Sequence, residues 1–234
     1  MTNNTAKIIF ALSLILIFSL PQTCYADNFF KKIFSSDKHT EKSRNLNVKI
    51  PEGLYDLSLE ENLNILSSGK YSEELKEHQK NQALALMKMG YNIEIMRNGE
   101  IIIVSIPADD LFAPMESDLS DAASGKLSIF SKFVKVPDLY RLMMVMNTDD
   151  TGSDEYKQSV TQKRVDAVFN WFKDNNTNTD YIIPYAMSDE NPIVMNNSYE
   201  NRHKNRRLEI YLVPGEEMIK SLKHKTNKNL KIIK

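Results

Sequence analysis

Glycine and cysteine are scarce in this 234-residue chain, with seven of the first and one of the second. No glycine falls in a G-x-G-x-x-G or G-x-x-x-x-G-K pattern, so no loop is set up to cradle phosphates and nucleotide enzymes are disfavoured. The single cysteine, Cys24, allows no disulfide framework, and stability must come from a packed core. Neither charge sign dominates. Thirty basic residues stand against 31 acidic ones, a net of −1, which gives no electrostatic case for nucleic acid. At 41% apolar and 26% charged residues, the composition is that of a globular protein and not of a disordered or polytopic membrane chain.

Signs of catalysis are also missing. His39, His78, His203 and His224 are isolated instead of spaced as metal ligands, and no G-x-S-x-G elbow is present. The acid pairs Asp109-Asp110, Asp149-Asp150 and Asp189-Glu190 sit where turn or cap chemistry already explains them. The expectation is a binding protein and not an enzyme, with no catalytic residue, no metal and no cofactor.

The first 26 residues differ from the rest. Lys7, the 13-residue apolar run Ile8–Leu20 and the segment Cys24-Tyr25-Ala26 read as an export leader cut after Ala26. The run is short of the roughly 20 residues that a helix needs to cross a bilayer. An uncleaved anchor and acylation of Cys24 are the alternatives. Residues 27–70, rich in Lys, Ser and Asp at their start, read as a flexible tether.

Periodic signals begin at Ser72. It caps an expected helix that ends at Gly90, and Tyr91, Ile93 and Ile95 then alternate as a half-exposed strand. Asn98-Gly99 suits a two-residue hairpin turn into Glu100–Ile106, a strand apolar on both faces. Leu119, Ala123, Leu127, Phe130 and Val134 form one helical stripe that Pro137 ends. Leu142–Met146 reads as a strand, about 154–172 as a helix, and Tyr181–Ala186 and Leu208–Leu212 as two more strands. The order predicts an α/β (α+β) sandwich, βαβαββ, with helices on one mixed sheet after an extra N-terminal helix and hairpin strand (residues 71–99).

Within the helix at 154–172, Arg164 lies about 40° from Val160, inside the apolar stripe. An inward guanidinium is costly unless an anion meets it, and Asp149, just past a core strand, is a sensible partner. A snorkelling arginine, with Asp149 as turn chemistry, is the plainer alternative.

The run Thr148-Asp149-Asp150-Thr151-Gly152-Ser153, then Tyr156, Arg164 and Arg202-His203-Lys204-Asn205-Arg206-Arg207-Leu208-Glu209, resembles the OmpA-like C-terminal domain. The resemblance covers roughly residues 100–214 and keeps the 15-residue gap between Asp149 and Arg164. Leu111-Phe112-Ala113-Pro114 and the tail Tyr211–Glu216 look most like Bacteroidetes versions. It implies non-covalent binding of peptidoglycan through the diaminopimelate of the stem peptide, with Asp149 accepting the ligand's ammonium and Arg164 gripping its carboxylate. Thr148, Asn205 and Arg206 are second-rank site candidates, and Arg206 and Arg207 read equally well as structural supports of the loop before the last strand.

This sequence departs from the family pattern at Met146-Asn147, Lys157 and Val160-Thr161, and Lys157 adds a cation near the expected pocket. From residue 201 onward ten basic residues face three acidic ones, so the tail at 215–234 is basic, and peripheral attraction to anionic polymers or lipid head groups is compatible with it. The expectation is an exported protein of the periplasm, at the outer membrane or cell wall, that ties a membrane or envelope complex to peptidoglycan. The alternatives are a scaffold subunit whose pocket has lost peptidoglycan, and an anchored stator-like subunit that keeps residues 1–26.

Overall fold

Near-continuous burial along the central strands, covered on both faces, sets the architecture. The computed structural model describes residues 57–63 and 72–223. It contains the helices α1 (Leu59–Leu63), α2 (Ser72–Lys88), α3 (Ala123–Leu127), α4 (Asp154–Asp174), α5 (Tyr199–Asn205) and α6 (Glu216–Lys223). The strands are β1 (Asn92–Met96), β2 (Ile101–Pro107), β3 (Tyr140–Asn147), β4 (Ile182–Ala186) and β5 (Arg207–Pro214), in one sheet of order β1-β2-β5-β3-β4. All neighbours are antiparallel except β3 and β4, which run parallel with α4 as the crossover between them. The architecture is thus the mixed α/β sandwich read from the sequence.

One face of the sheet presents Ile102, Val104, Ile106, Leu142, Met144, Met146, Leu208, Ile210 and Leu212. Against it pack Leu75, Ala83 and Leu86 of α2, Leu127 of α3, Val165, Val168, Phe169 and Phe172 of α4, and Met218 and Ile219 of α6. Each of these Val, Leu, Ile, Phe and Met side chains contributes on the order of 1.5–3 kcal/mol when fully buried. The other face is buried too. Ile101, Ile103, Met143, Val145 and Ile183 lie there, and α1 reaches it where Asn62 Nδ2 donates to the Tyr185 hydroxyl at 2.6 Å.

Helix α4 starts where the sequence supplies a cap: Ser153 Oγ accepts from the Tyr156 amide at 3.2 Å, with Asp154 and Glu155 in the first turn. Just upstream, Gly152 at φ +98 turns the chain into the helix, and a Cβ there would come within 2.7 Å of the Tyr156 ring.

Four expectations differ from what is observed. The helix expected over 119–134 is instead the short α3 followed by a 3-10 segment, Ser128–Lys132, although Ala123, Leu127, Phe130 and Val134 are all buried as the stripe requires. Gly125 and the serines at 120, 124, 128 and 131 weaken a regular helix there. The Asn98-Gly99 hairpin is not a two-residue turn: Met96 pairs with Ile101, leaving four residues between, and Arg97, Asn98 and Gly99 all have positive φ. Helix α5 lies in what reads as a loop. Part of the stretch read as tether, Leu59–Leu63, is helical with Leu59 and Leu63 buried. The leader, the rest of the tether and the end of the basic tail lie outside the described residues.

Candidate functional site

Strands β2, β3 and β4 end, and β5 begins, at one end of the sheet. The loops leaving those strand ends, together with α5 and the first half of α4, carry the candidate side chains. Asp149 is 3% exposed there. Its Oδ1 accepts the Thr151 amide at 2.9 Å and also the Thr151 hydroxyl, an Asx-type turn. Its Oδ2 accepts Arg206 Nη1 at 2.6 Å.

Arg164 projects from α4 into the same neighbourhood. Its Nε donates to the Glu116 carbonyl at 2.9 Å, and its guanidinium carbon lies 4.9 Å from the centre of the Phe112 ring. Neither terminal Nη group hydrogen-bonds to a described residue. Burial lowers the pKa of the guanidinium, Arg206 reinforces the shift, and the charges of Asp109 and Asp149 oppose it. The group stays cationic at neutral pH. Arg206, and not Arg164, is the cation that pairs with Asp149. It also lies 3.5 Å from Asp109 and 5.7 Å above the exposed Tyr199 ring. Asp109 in turn meets His203 Nε2 at 3.3 Å. Asp109 and Asp149 thus both meet Arg206, and Arg164 contacts neither acid but lies near enough for all three charges to act on it.

The remaining candidates are placed differently. Thr148 is held by its amide, which donates to the Ser188 carbonyl at 2.8 Å, and its hydroxyl makes no hydrogen bond to a described residue. Asn205 is fully buried and already saturated. Its Oδ1 accepts the Ile193 and Val194 amides at 2.9 and 3.2 Å, while Nδ2 donates to Val194 O and Asn196 Oδ1 at 2.8 and 2.7 Å. It clamps the 193–196 loop. Lys157 is likewise committed, with Nζ 2.7 Å from Asp189 and 2.9 Å from Asp154, and these hydrogen bonds hold its pKa above the ordinary lysine value. The cation expected in the pocket is therefore spent on fastening the 187–190 loop to α4.

Phe112, the Glu116 carbonyl, Thr151, Asp109 and Tyr199 support the site, although none of them reads from the sequence as a site residue. For Thr151 a signal existed: a Thr two residues after an Asp is Asx-turn chemistry. For the Glu116 carbonyl, 48 positions before Arg164, none did. Arg207, beside the site, faces the other side of the sheet. Its Nε and Nη2 reach Glu209 Oε1 at 2.8 and 2.7 Å, its Nη1 and Nη2 donate to Asn205 O and Asn191 O at 3.1 and 3.0 Å, and Tyr211 donates to Glu209 Oε2 at 2.8 Å.

Residues 111–206 match the model of the OmpA family, so this part of the chain is an OmpA family domain. The chain is 26% identical over 125 residues to the probable lipoprotein YiaD of Escherichia coli (strain K12), across 53% of this chain and 57% of that one, so it spans little more than half of that relative. Among solved structures, a MotB-like protein from Desulfovibrio vulgaris superposes with a TM-score of 0.52 at 23% identity, over 61% of this chain and 98% of that one. That likeness shows the fold. The cell wall anchor of the T6SS from Pseudomonas aeruginosa reaches a TM-score of 0.48 at 20% identity, over 60% of this chain and 96% of that one.

Proposed function

We propose that this protein binds peptidoglycan non-covalently and anchors a membrane or envelope complex to the cell wall. The observation that carries the reading is a buried arginine, Arg164, fixed through Nε and Phe112 with its terminal N–H groups uncommitted among the described residues, in one charge cluster with Asp149. A preformed fork of that kind suits a carboxylate bidentately. The Asp149 carboxylate, accepting three hydrogen bonds, keeps acceptor capacity for an ammonium. The amino-acid head of diaminopimelate in a stem peptide presents both groups a few ångströms apart. The OmpA family match supports the same ligand. In this reading the protein acts by binding and not by catalysis, uses no cofactor, and is exported to the periplasm, where it meets the cell wall or the outer membrane.

One observation favours a scaffold that has lost this ligand: Arg206 already occupies Asp149 Oδ2 at 2.6 Å. Sedimentation of the purified chain with isolated sacculi separates the two. Binding that free diaminopimelate competes away, and that Arg164→Ala abolishes, is the expected result. A chain that stays in the supernatant, or an Arg164→Ala variant that pellets as well as the parent, rejects it.

A further inference from the structure

Asp149 is already paired when a ligand arrives. Its Oδ2 accepts Arg206 Nη1 at 2.6 Å, so an ammonium can take that oxygen only if the guanidinium gives way. A second seat stands close by. The other terminal nitrogen, Nη2, lies 3.5 Å from Oδ2 of Asp109, on the 3-10 turn Ala108–Asp110 that follows β2. Charge-assisted contacts close to about 2.8 Å, so a movement of roughly 0.7 Å would settle Arg206 on Asp109. The arginine side chain is 20% exposed against 4% for Asp149, which makes it the partner free to move. The same Asp109 oxygen also faces His203 Nε2 at 3.3 Å, from the helix α5 that leads into Arg206. Arg206 and His203 therefore compete for one carboxylate oxygen. The other charged groups on and around α5 have partners of their own: Asp150 holds Arg202 at 3.0 Å, Asp110 holds Lys126 at 2.9 Å, Lys204 acts on Glu200, and Arg164 of α4 donates to the Glu116 carbonyl.

We infer that Asp109 is a second seat for Arg206 and that the charge of His203 controls access to it: a neutral imidazole lets the guanidinium pass to Asp109 and free Asp149, and a protonated one keeps it on Asp149. The inference rests on the murein reading above, since it regulates that same site. A neutral imidazole offers Asp109 at most one uncharged hydrogen bond, which a guanidinium outcompetes. An imidazolium holds the shared oxygen as a cation and repels the guanidinium beside it, driving Arg206 back onto Asp149. Acid thus fills the ammonium's place with the protein's own cation. Histidine is the side chain that ordinarily changes charge between about pH 5 and 8. His203 and Asp109 are 39% and 42% exposed, so solvent screens the contact and sets the coupling at the low end of the usual range, about fivefold in affinity.

The test titrates the full chain with meso-diaminopimelate, by calorimetry, at about pH 5 and about pH 8. The parent is expected to bind about fivefold more weakly in acid. His203→Gln keeps a neutral donor and leaves the other three histidines in place, and Arg206→Gln removes the guanidinium that blocks Asp149. In each variant the affinities at the two pH values are expected to agree within about twofold. A parent with no pH dependence overturns the inference while leaving the charged site standing. So does a parental ratio kept in His203→Gln, which would assign the effect to the ligand's own titration or to another histidine. The same ratio kept in Arg206→Gln overturns it as well, because the imidazolium would then act on the ligand without passing through the guanidinium. Failure of the parent to bind at either pH overturns the inference together with the murein reading. Reciprocity supplies a second readout: saturating diaminopimelate should move the His203 titration, followed by NMR, down by about 0.7 pH unit. A titration that the ligand leaves unmoved overturns the inference even if affinity falls in acid.

Discussion

Breaking the Arg207–Glu209 pair offers the sharpest test of the packing account. Both residues sit on β5, at 2% and 8% exposure, and the arginine also satisfies two backbone carbonyls, Asn205 O and Asn191 O. Arg207→Met keeps most of the aliphatic volume but strands the Glu209 carboxylate, with Tyr211 as its one remaining hydrogen-bond donor among the described residues, and leaves both carbonyls without that donor. Removing one partner of a buried pair costs about 3–5 kcal/mol. With a urea slope of roughly 2 kcal/mol per molar, the midpoint falls by about 2 M. Arg207→Met/Glu209→Leu removes both charges, and pairs replaced by apolar groups are often close to neutral. The double variant is therefore expected to recover at least about 1.5 kcal/mol relative to the sum of the singles. Urea unfolding followed by circular dichroism on all four proteins gives the cycle. A midpoint shift below about 0.5 M for Arg207→Met, or additive singles, would refute the reasoning.

Gly152→Ala should lose about 1–2 kcal/mol, because φ +98 is strained for any side chain and the new methyl meets the Tyr156 ring; thermal unfolding that matches the parent contradicts this. The Lys157–Asp189 contact gives a pH-dependent prediction. Burial by itself raises the Asp189 carboxyl, but the Lys157 hydrogen bond and charge, with Ser188 and the local backbone, hold it below its ordinary value near 3.8. A carboxyl with a depressed folded pKa adds stability above the unfolded value, and that stability drains away as pH falls through the folded one. Asp189→Asn should thus lower the melting temperature at pH 7, with the gap to the parent closing below about pH 3. A gap of the same size at both pH values removes the contact from the stability account.

The sheet was readable because its central strands are near-continuous apolar runs, as burial on both faces requires, and α4 because Arg164 interrupts a clear stripe. Arg164 could be flagged from that stripe alone, but the Glu116 carbonyl and the Phe112 ring could not, since both come from a loop before α3 that local pattern leaves unplaced. The same limit hid the roles of the two adjacent arginines. Arg206 and Arg207 read alike in sequence, yet strand alternation sends one to Asp149 and the other to Glu209 on the opposite face. Asn205 looked like a ligand group by family pattern, while its four hydrogen bonds all serve the 193–196 loop. Lys157 looked like a pocket cation, and only the placement of Asp189, 32 positions away, shows where its charge goes. Helix α5 escaped notice because seven residues hold too short a period to register.

The claim that a zwitterion is gripped at both its charges can be measured with two ligands that share a carbon chain. Calorimetric titration of the full chain with meso-diaminopimelate, and with cadaverine, its skeleton stripped of both carboxylates, should show binding of the first, none of the second, and loss of the first in Arg164→Ala. Cadaverine binding as tightly as diaminopimelate, or an Arg164→Ala variant that still takes up diaminopimelate with parental affinity, would contradict it.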